Sequence, residues 1–388
     1  MMLGFLLARG GVDVIVLEKH ADFLRDFRGD TIHPSTLELI YELGLLEQFL
    51  KRPHQEVTEL GGRVGGGMLK IADFSHLPTH CKFLALMPQW DFLDFIAQQG
   101  RRYKGYRLLM NTEADDILEE NGRVAGVKAK SEEGPLDIRA ALTVGADGRR
   151  STLRDRAGLP VMDLGAPMDV LWLRLSRKPD DPPQTFGHAE AGKILVMLDR
   201  QDYWQCGYVI AKGGFEEVRN KGIGRFREEI ARLEPSLRDR VQELGDWSSV
   251  SVLTVKVDRL KQWWRPGLLC IGDAAHAMSP VGGVGINLAI QDAVAAANIL
   301  SAPLKAGRVR EGDLEAIQER REFPTWATQK LQIAIQNRII RRVLASSQPF
   351  SVPRILRLMQ RWPWLRRIPA RVVGMGFRPE HIRVPEQS

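Results

Sequence analysis

The chain is short of cysteine: Cys81, Cys206 and Cys270 are its only thiols and lie far apart. Scattered thiols without metal-ligand spacing exclude a disulfide framework and a cysteine-built metal centre, and they suit a reducing cytoplasm. No apolar run reaches the roughly 18–20 residues of a membrane span. The opening Met1-Met2-Leu3-Gly4-Phe5-Leu6-Leu7-Ala8 has no basic lead, and Arg9 interrupts it before a cleavage site, so it is not a secretory signal. Low-complexity tracts and internal repeats are missing too. With 44% hydrophobic and 27% charged residues, the 388-residue chain has an ordinary α/β composition and enough length for two domains.

Acidic residues are scarce at one end. From Arg338 to Ser388 there are eleven Arg, no Lys and two acids (Glu380 and Glu386), a local charge of +9. The whole chain carries +7, so the rest carries −2 and the basicity belongs to the tail. No RRM, KH or helix-turn-helix pattern accompanies it, which argues against nucleic acid. The tail arginines are interleaved with Ile, Leu and Trp. Two readings stay open for them: a basic face packed or solvated on the body, and a weak membrane-surface contact.

Periodicity predicts a helix end over 3–9 stopped by Gly10-Gly11, then a β-branched parallel strand over 12–17. Helices are expected at 35–50, 89–102, 223–233 and 285–300, and throughout after Glu311. Residues 61–67 read as a flexible turn. Strands are expected at 115–127 and 136–144 around Asn121-Gly122, at 169–175, 194–198, 204–210 and 250–257, and at 268–271. Strand–helix alternation around a separate β-rich block indicates an α/β nucleotide domain with an inserted substrate sheet.

The strongest chemistry-bearing segment is Leu268-Leu269-Cys270-Ile271-Gly272-Asp273, continuing to Pro280-Val281-Gly282-Gly283-Val284-Gly285-Ile286-Asn287. A buried strand delivers Asp273 at its carboxyl end, where ligands sit in open α/β sheets. A Gly/Pro loop and a helix start follow, whose free N–H groups and dipole attract an anion. A second segment, Val144-Gly145-Ala146-Asp147-Gly148, ends a strand in Asp-Gly. In a third, Val14-Ile15-Val16-Leu17-Glu18-Lys19, Glu18 at the strand end can accept hydrogen bonds from ribose hydroxyls. Gly187-His188-Ala189-Glu190-Ala191-Gly192-Lys193 mimics a phosphate loop, but Ile194 replaces the required Ser/Thr and a strand follows. His276 has no metal-ligand spacing around it and reads as a packed or capping histidine.

In their order and spacing these segments resemble the FAD-dependent aromatic hydroxylase and monooxygenase family of the p-hydroxybenzoate hydroxylase type, over nearly the whole chain. Arg28-Gly29-Asp30-Thr31-Ile32-His33-Pro34 and the later Gln89 match the family's order as well. The resemblance implies an α/β fold: a Rossmann-like FAD-binding domain of glutathione-reductase type, an inserted β-rich substrate domain and a C-terminal helical tail. The expected divisions are 1–62, 82–165 and 258–325 for the FAD domain, 63–81 and 166–257 for the substrate sheet, and 326–388 for the basic tail. It implies FAD binding by Glu18, Lys19, Arg28, Gln89, Asp147, Gly272, Asp273, Pro280, Gly283, Gly285, Ile286 and Asn287, with no metal. Among these, Asp273 serves the ribityl chain, Arg28 and Gln89 the pyrophosphate and ribityl region, and the backbone at 285–287 the pyrimidine.

The activity implied is hydroxylation of an aromatic or other apolar small molecule with NAD(P)H and O2, through a flavin hydroperoxide. No catalytic base is assigned. The β-rich block is expected to form the substrate wall, and its Trp172, Phe186, Met197, Tyr203 and Trp204 suggest an apolar or aromatic substrate, although such residues in strands are more often simply core. A dinucleotide site also needs a strand followed by G-x-G-x-x-G, and the sequence holds no complete instance. The family's first strand and loop are therefore expected ahead of Met1, and their absence would expose two sheet edges. Two other readings stay open: a truncated, non-catalytic remnant, and a related FAD-dependent reductase or halogenase.

Overall fold

A computed structural model describes residues 1–24, 31–64, 67–181, 186–346 and 353–387, the side chains of Phe186 and Arg354 excepted. The apolar Val14–Leu17 pairs in parallel with Tyr106–Leu109, Val14 opposite Tyr106 and Leu17 opposite Leu109. Helix Met2–Arg9 covers this pair and packs against helices Gln89–Gly100 and Gly285–Lys305, burying Phe5 and Leu6. Gly4 permits the close approach, since a Cβ there would stand 2.5 Å from Val16 Cγ2.

Thr143–Gly145 and Leu268–Cys270 form a second parallel pair, extended by the antiparallel Trp264–Arg265. No ladder joins the two parallel pairs among the described residues. Every residue of Leu268–Cys270 is buried, whereas all of Val14–Leu17 remain part-exposed. Parallel strands are ordinarily covered on both faces, so Val14–Leu17 stands at an open edge.

The β-rich block is a seven-stranded sheet, in the order Ser251–Leu253, Met168–Ser176, Tyr203–Ala211, Lys193–Asp199, Phe186–Glu190, Glu59–Val64, Gly67–Asp73. Its pairing runs back to Glu59, ahead of the boundary expected between 62 and 63. Gly61 and Gly62, read as a flexible turn, lie inside a strand. A Cβ would meet the Leu69 carbonyl oxygen at 2.6 Å from Gly61 and the Gly187 carbonyl oxygen at 2.7 Å from Gly62. Close neighbouring backbones, not flexibility, account for these glycines. The strand expected at 250–257 shrinks to Ser251–Leu253 because Asp169 takes the Val255 N–H at 2.9 Å in place of a ladder partner.

Period-two alternation sorts the sheet's side chains. Leu173, Leu175, Met197, Trp204 and Cys206 face helix Ile223–Leu233 and pack with Phe226 and Ile230. Met197 and Trp204 are therefore core under that helix, not substrate wall. Trp172 lies on the opposite face, in a cluster with Val209 and Val281, and Tyr203 shares that face beneath the Arg174 guanidinium. The Phe186 side chain lies outside the described residues.

The helix expected at 35–50 breaks into Pro34–Glu42 and Leu46–Leu50 at Gly44, whose φ of +70° ends the first. Helix Glu311–Ile335 continues into a π-helical turn, Gln336–Ile340, and then Arg341–Ala345. The tail adds Arg354–Arg361 and Arg367–Met375. Its last segment returns across the body: Arg9 Nη1 donates to the Val384 carbonyl (2.6 Å), and the Ile382 N–H donates to Glu42 Oε2 (2.7 Å). The whole is an α/β Rossmann-like FAD-binding fold with an inserted sheet and a C-terminal helical segment.

Candidate cofactor site

The loop and helix after Leu268–Cys270 are built to leave N–H groups uncommitted. Gly272 turns the chain at φ +58°, and its N–H donates to Asp292 Oδ2 at 3.0 Å. Gly282 and Gly283 sit at φ +80° and +62°, a region other residues enter only with strain. Helix Gly285–Lys305 then starts with no side-chain cap. The first N–H groups of a helix have no intrahelical acceptor, so those of Gly285, Ile286 and Asn287 present a positive end. Gly285 keeps the approach open, its nearest neighbour to a Cβ being Met278 Cβ at 3.6 Å.

Asn287, buried, locks this helix start to the segment after the Arg28 motif. Its Nδ2 donates to the Thr31 carbonyl (2.9 Å) and the Gly283 carbonyl (3.3 Å). Its Oδ1 accepts from the His33 N–H (2.9 Å) and Thr36 Oγ1 (2.7 Å). Gly283 is packed in the same place, since a Cβ would stand 2.9 Å from Thr31 Oγ1. The Asn287 amide thus ties two segments together.

The carboxylates follow the ends of parallel strands. Asp147 accepts from Ser151 Oγ (2.5 Å) and the Leu153 N–H (3.1 Å), holding the start of the short helix Thr152–Arg156. Arg149 of the same turn reaches Asp273 at 3.7 Å, so the Asp-Gly and Gly-Asp segments meet at adjacent strand ends. Glu18 ends Val14–Leu17 in the other parallel pair, its N–H bonded to the Leu109 carbonyl and its carboxylate to the His20 N–H. Lys19 forms an exposed pair with Glu113 at 3.6 Å. Gln89 opens helix Gln89–Gly100. Arg28 lies outside the described residues.

Behind the loop, His276 is fully buried and bonded to Asp292 (2.5 Å), which also accepts from Arg321 Nε at 2.9 Å. Burial alone would raise the Asp292 carboxyl; the charges of His276 and Arg321 outweigh it and hold it below the usual range. Arg321 continues to Glu380 at 3.2 Å, anchoring the tail. His276 is thus a structural group. Cys270 is no nucleophile either, since burial pushes its thiol up to about 12. Among the described residues no group of His, Cys, Asp and Glu could hold a metal.

A small cavity of about 70 Å³ adjoins the loop, lined in part by His33, Val281, Asn287, Gln291, Gln332 and Phe377. Burial lowers His33 to about 4 despite its 2.7 Å contact to the Val373 carbonyl, so the ring is neutral near pH 7. Sequence reasoning missed His33 and a stripe of buried glutamines on helix Glu311–Ile335. Both are polar residues in helical or helix-entry segments, where polarity ordinarily marks a solvent face.

Residues 1–330 match the family described as an FAD binding domain. A 6-methylpretetramide 4-monooxygenase from Streptomyces rimosus is 32% identical over 373 residues, covering 95% of this chain and 89% of that protein. The chain belongs to the FAD-binding monooxygenase family. Para-nitrophenol 4-monooxygenase from Pseudomonas sp. strain WBC-3 is 25% identical over 317 residues, covering 79% of this chain and 76% of the relative. The crystal structure of p-nitrophenol 4-monooxygenase PnpA from Pseudomonas putida DLL-E4 superposes with a TM-score of 0.74 at 20% identity, covering 96% of this chain and 95% of that one. At that identity the superposition establishes the monooxygenase fold alone. Membership makes the chain an FAD-dependent oxidoreductase. The uncapped helix start and the glycine loop fit a group that accepts hydrogen bonds, as FAD does.

Proposed function

We propose that this monooxygenase holds FAD between the strand ends at Glu18, Asp147 and Asp273 and the helix start at 285–287, and hydroxylates an aromatic or other apolar small molecule. When bound, the flavin supplies the redox and oxygen chemistry, with NAD(P)H and O2 as co-substrates. The chain's own residues bind, orient and exclude water. Glu18, with Lys19 beside it, faces the adenosine ribose. Arg28 and Gln89 serve the pyrophosphate and ribityl region, and Asp273 the ribityl chain. Asp147 shapes the turn that directs Arg149 toward Asp273. Gly272, Pro280 and Gly283 set the loop, and Gly285, Ile286 and Asn287 offer N–H groups to the pyrimidine. The sheet face bearing Trp172 and Tyr203 walls the substrate.

The observation that carries this reading is the uncapped, glycine-led start of a 21-residue helix, tied by Asn287 to Thr31 and His33. Adding FAD to the purified chain, then NAD(P)H, substrate candidates and 18O2, tests it. Retained yellow flavin and labelled product are expected. A colourless chain favours the non-catalytic remnant, and turnover without label favours a reductase.

The tail adds a proposed weak contact to an anionic lipid surface. Trp362 and Trp364 are 47% and 59% exposed, beside exposed Ile355, Leu358 and Ile368. Between 353 and 379 there are seven Arg and no acid. Tryptophan with Arg suits a headgroup interface. The one described helix long and apolar enough to cross a membrane lies within Val281–Lys305, and 61% of its apolar stretch is buried in the body. Salt-sensitive pelleting with phosphatidylglycerol vesicles, lost in a Trp362→Ala/Trp364→Ala variant, is expected. Equal recovery with and without vesicles would reject the contact.

A further inference from the structure

The loop joining Leu268–Cys270 to helix Gly285–Lys305 has little to fix it from within. Pro280 has no N–H to donate, and Gly282 and Gly283 give up the most conformational freedom on ordering. Its internal bonds are short-range: Val281 N–H to Ser279 Oγ (3.2 Å) and Gly283 N–H to the Pro280 carbonyl (3.1 Å). Such a loop needs an external anchor to keep one shape.

Helix Glu311–Ile335 and its π-helical extension provide it through three amides. Gln332 Nε2 donates to the carbonyls of Ser279 (2.9 Å) and Val281 (2.8 Å), and its Oε1 accepts the Ser279 N–H (3.2 Å). Gln336 Nε2 donates to Ser279 Oγ at 2.5 Å. Gln329 Nε2 donates to the carbonyls of Asp258 (2.8 Å) and Ala277 (3.2 Å). The three are 1%, 3% and 0% exposed for Gln329, Gln332 and Gln336, a single stripe at helical spacing. Leucines there would bury as much surface but leave the carbonyls they face without donors. Amides instead specify where individual carbonyls point. The stripe ends where the helix opens into the π-helical turn Gln336–Ile340, a feature that recurs at functional sites.

We propose that Gln332 and Gln336 are positioning residues for the flavin loop. Gln332 grips the backbone on both sides of Pro280 and turns the Ser279 and Val281 carbonyls toward helix Glu311–Ile335, while Gln336 holds the Ser279 hydroxyl that accepts the Val281 N–H. That leaves the N–H groups at 285–287 as what the loop offers its ligand. The inference rests on the FAD reading of this loop.

Gln332→Leu, Gln332→Glu and Gln336→Leu are compared with the natural chain by amide exchange without FAD and by FAD titration. In both Gln332 variants the Val281–Gly283 amides are expected to exchange about tenfold faster while helix Glu311–Ile335 keeps its protection. FAD should bind about tenfold more weakly, with its visible band shifted. In Gln332→Glu both effects should recede from about pH 8 to about pH 5.5, because a protonated carboxyl regains a donor for one carbonyl. Simple loss of packing predicts no such recovery. Gln336→Leu, which leaves Gln332 in place, should show the same effects more weakly. Loop exchange unchanged from the natural chain, or protection lost along the helix as well, would overturn the proposal. A natural chain that takes up no FAD sinks the functional reading, and the exchange result still decides the clamp.

Discussion

Replacing Asn287 with alanine removes four hydrogen bonds at once, two donated to Thr31 and Gly283 and two accepted from His33 and Thr36. A typical intramolecular bond contributes about 1 kcal/mol net, and a buried group left without its partner costs about 1–3 kcal/mol. The Gly283 contact is the longest, at 3.3 Å, and adds least. The expected loss is therefore about 3–4 kcal/mol, measured by urea unfolding of the FAD-free chain. Thr36→Val should cost about 1 kcal/mol alone and couple to Asn287→Ala by a similar amount in a double-mutant cycle, because in Asn287→Ala the Thr36 hydroxyl has already lost its acceptor. FAD affinity should fall with it, since the helix start is no longer held against Thr31. A loss below about 1 kcal/mol for Asn287→Ala, or strict additivity with Thr36→Val, would refute the reasoning.

Gly283→Ala places a side chain at φ +62° and 2.9 Å from Thr31 Oγ1, so a cost of at least about 1–2 kcal/mol and weakened flavin binding are expected by unfolding and titration. Asp181 is held down to about 2: burial works to raise it, and the buried Arg240 guanidinium, the Lys178 N–H and the Trp204 indole outweigh burial. A depressed carboxyl stabilises the fold above its unfolded value of 3.8, and that stability drains as pH falls toward 2. Acid unfolding monitored by tryptophan fluorescence should lose this transition in Asp181→Asn, which should also be destabilised at neutral pH.

The segment Leu268–Asn287 was legible because its signals are local: an apolar run, an acid at its end, then Gly and Pro before a helix. Helix Ile223–Leu233 was read to the residue for the same reason, its apolar stripe recurring at helical spacing. The faces of the β-rich block were not. Alternation shows that Trp172 and Leu173 point opposite ways, but only the docking of Ile223–Leu233 makes one side core, and Met197 and Trp204 fell on it. The glutamines of Glu311–Ile335 escaped notice because a polar stripe reads as a solvent face unless its acceptors, some 50 to 70 residues earlier, are known.

Sequence alone determined the class of fold and the order of the strand-end carboxylates, since each depends on neighbours within a few residues and on side-chain chemistry that does not change with context; the cofactor was implied by the resemblance of those segments to a known family. Tertiary structure decided which groups meet. It joined Asn287 to Thr31 and His33 across more than 250 positions, Arg321 to Asp292 and Glu380, and Gln332 to the backbone around Pro280. Those pairings follow from how helices and sheets stack, where burial favours a partner for each polar atom. No local pattern carries that information.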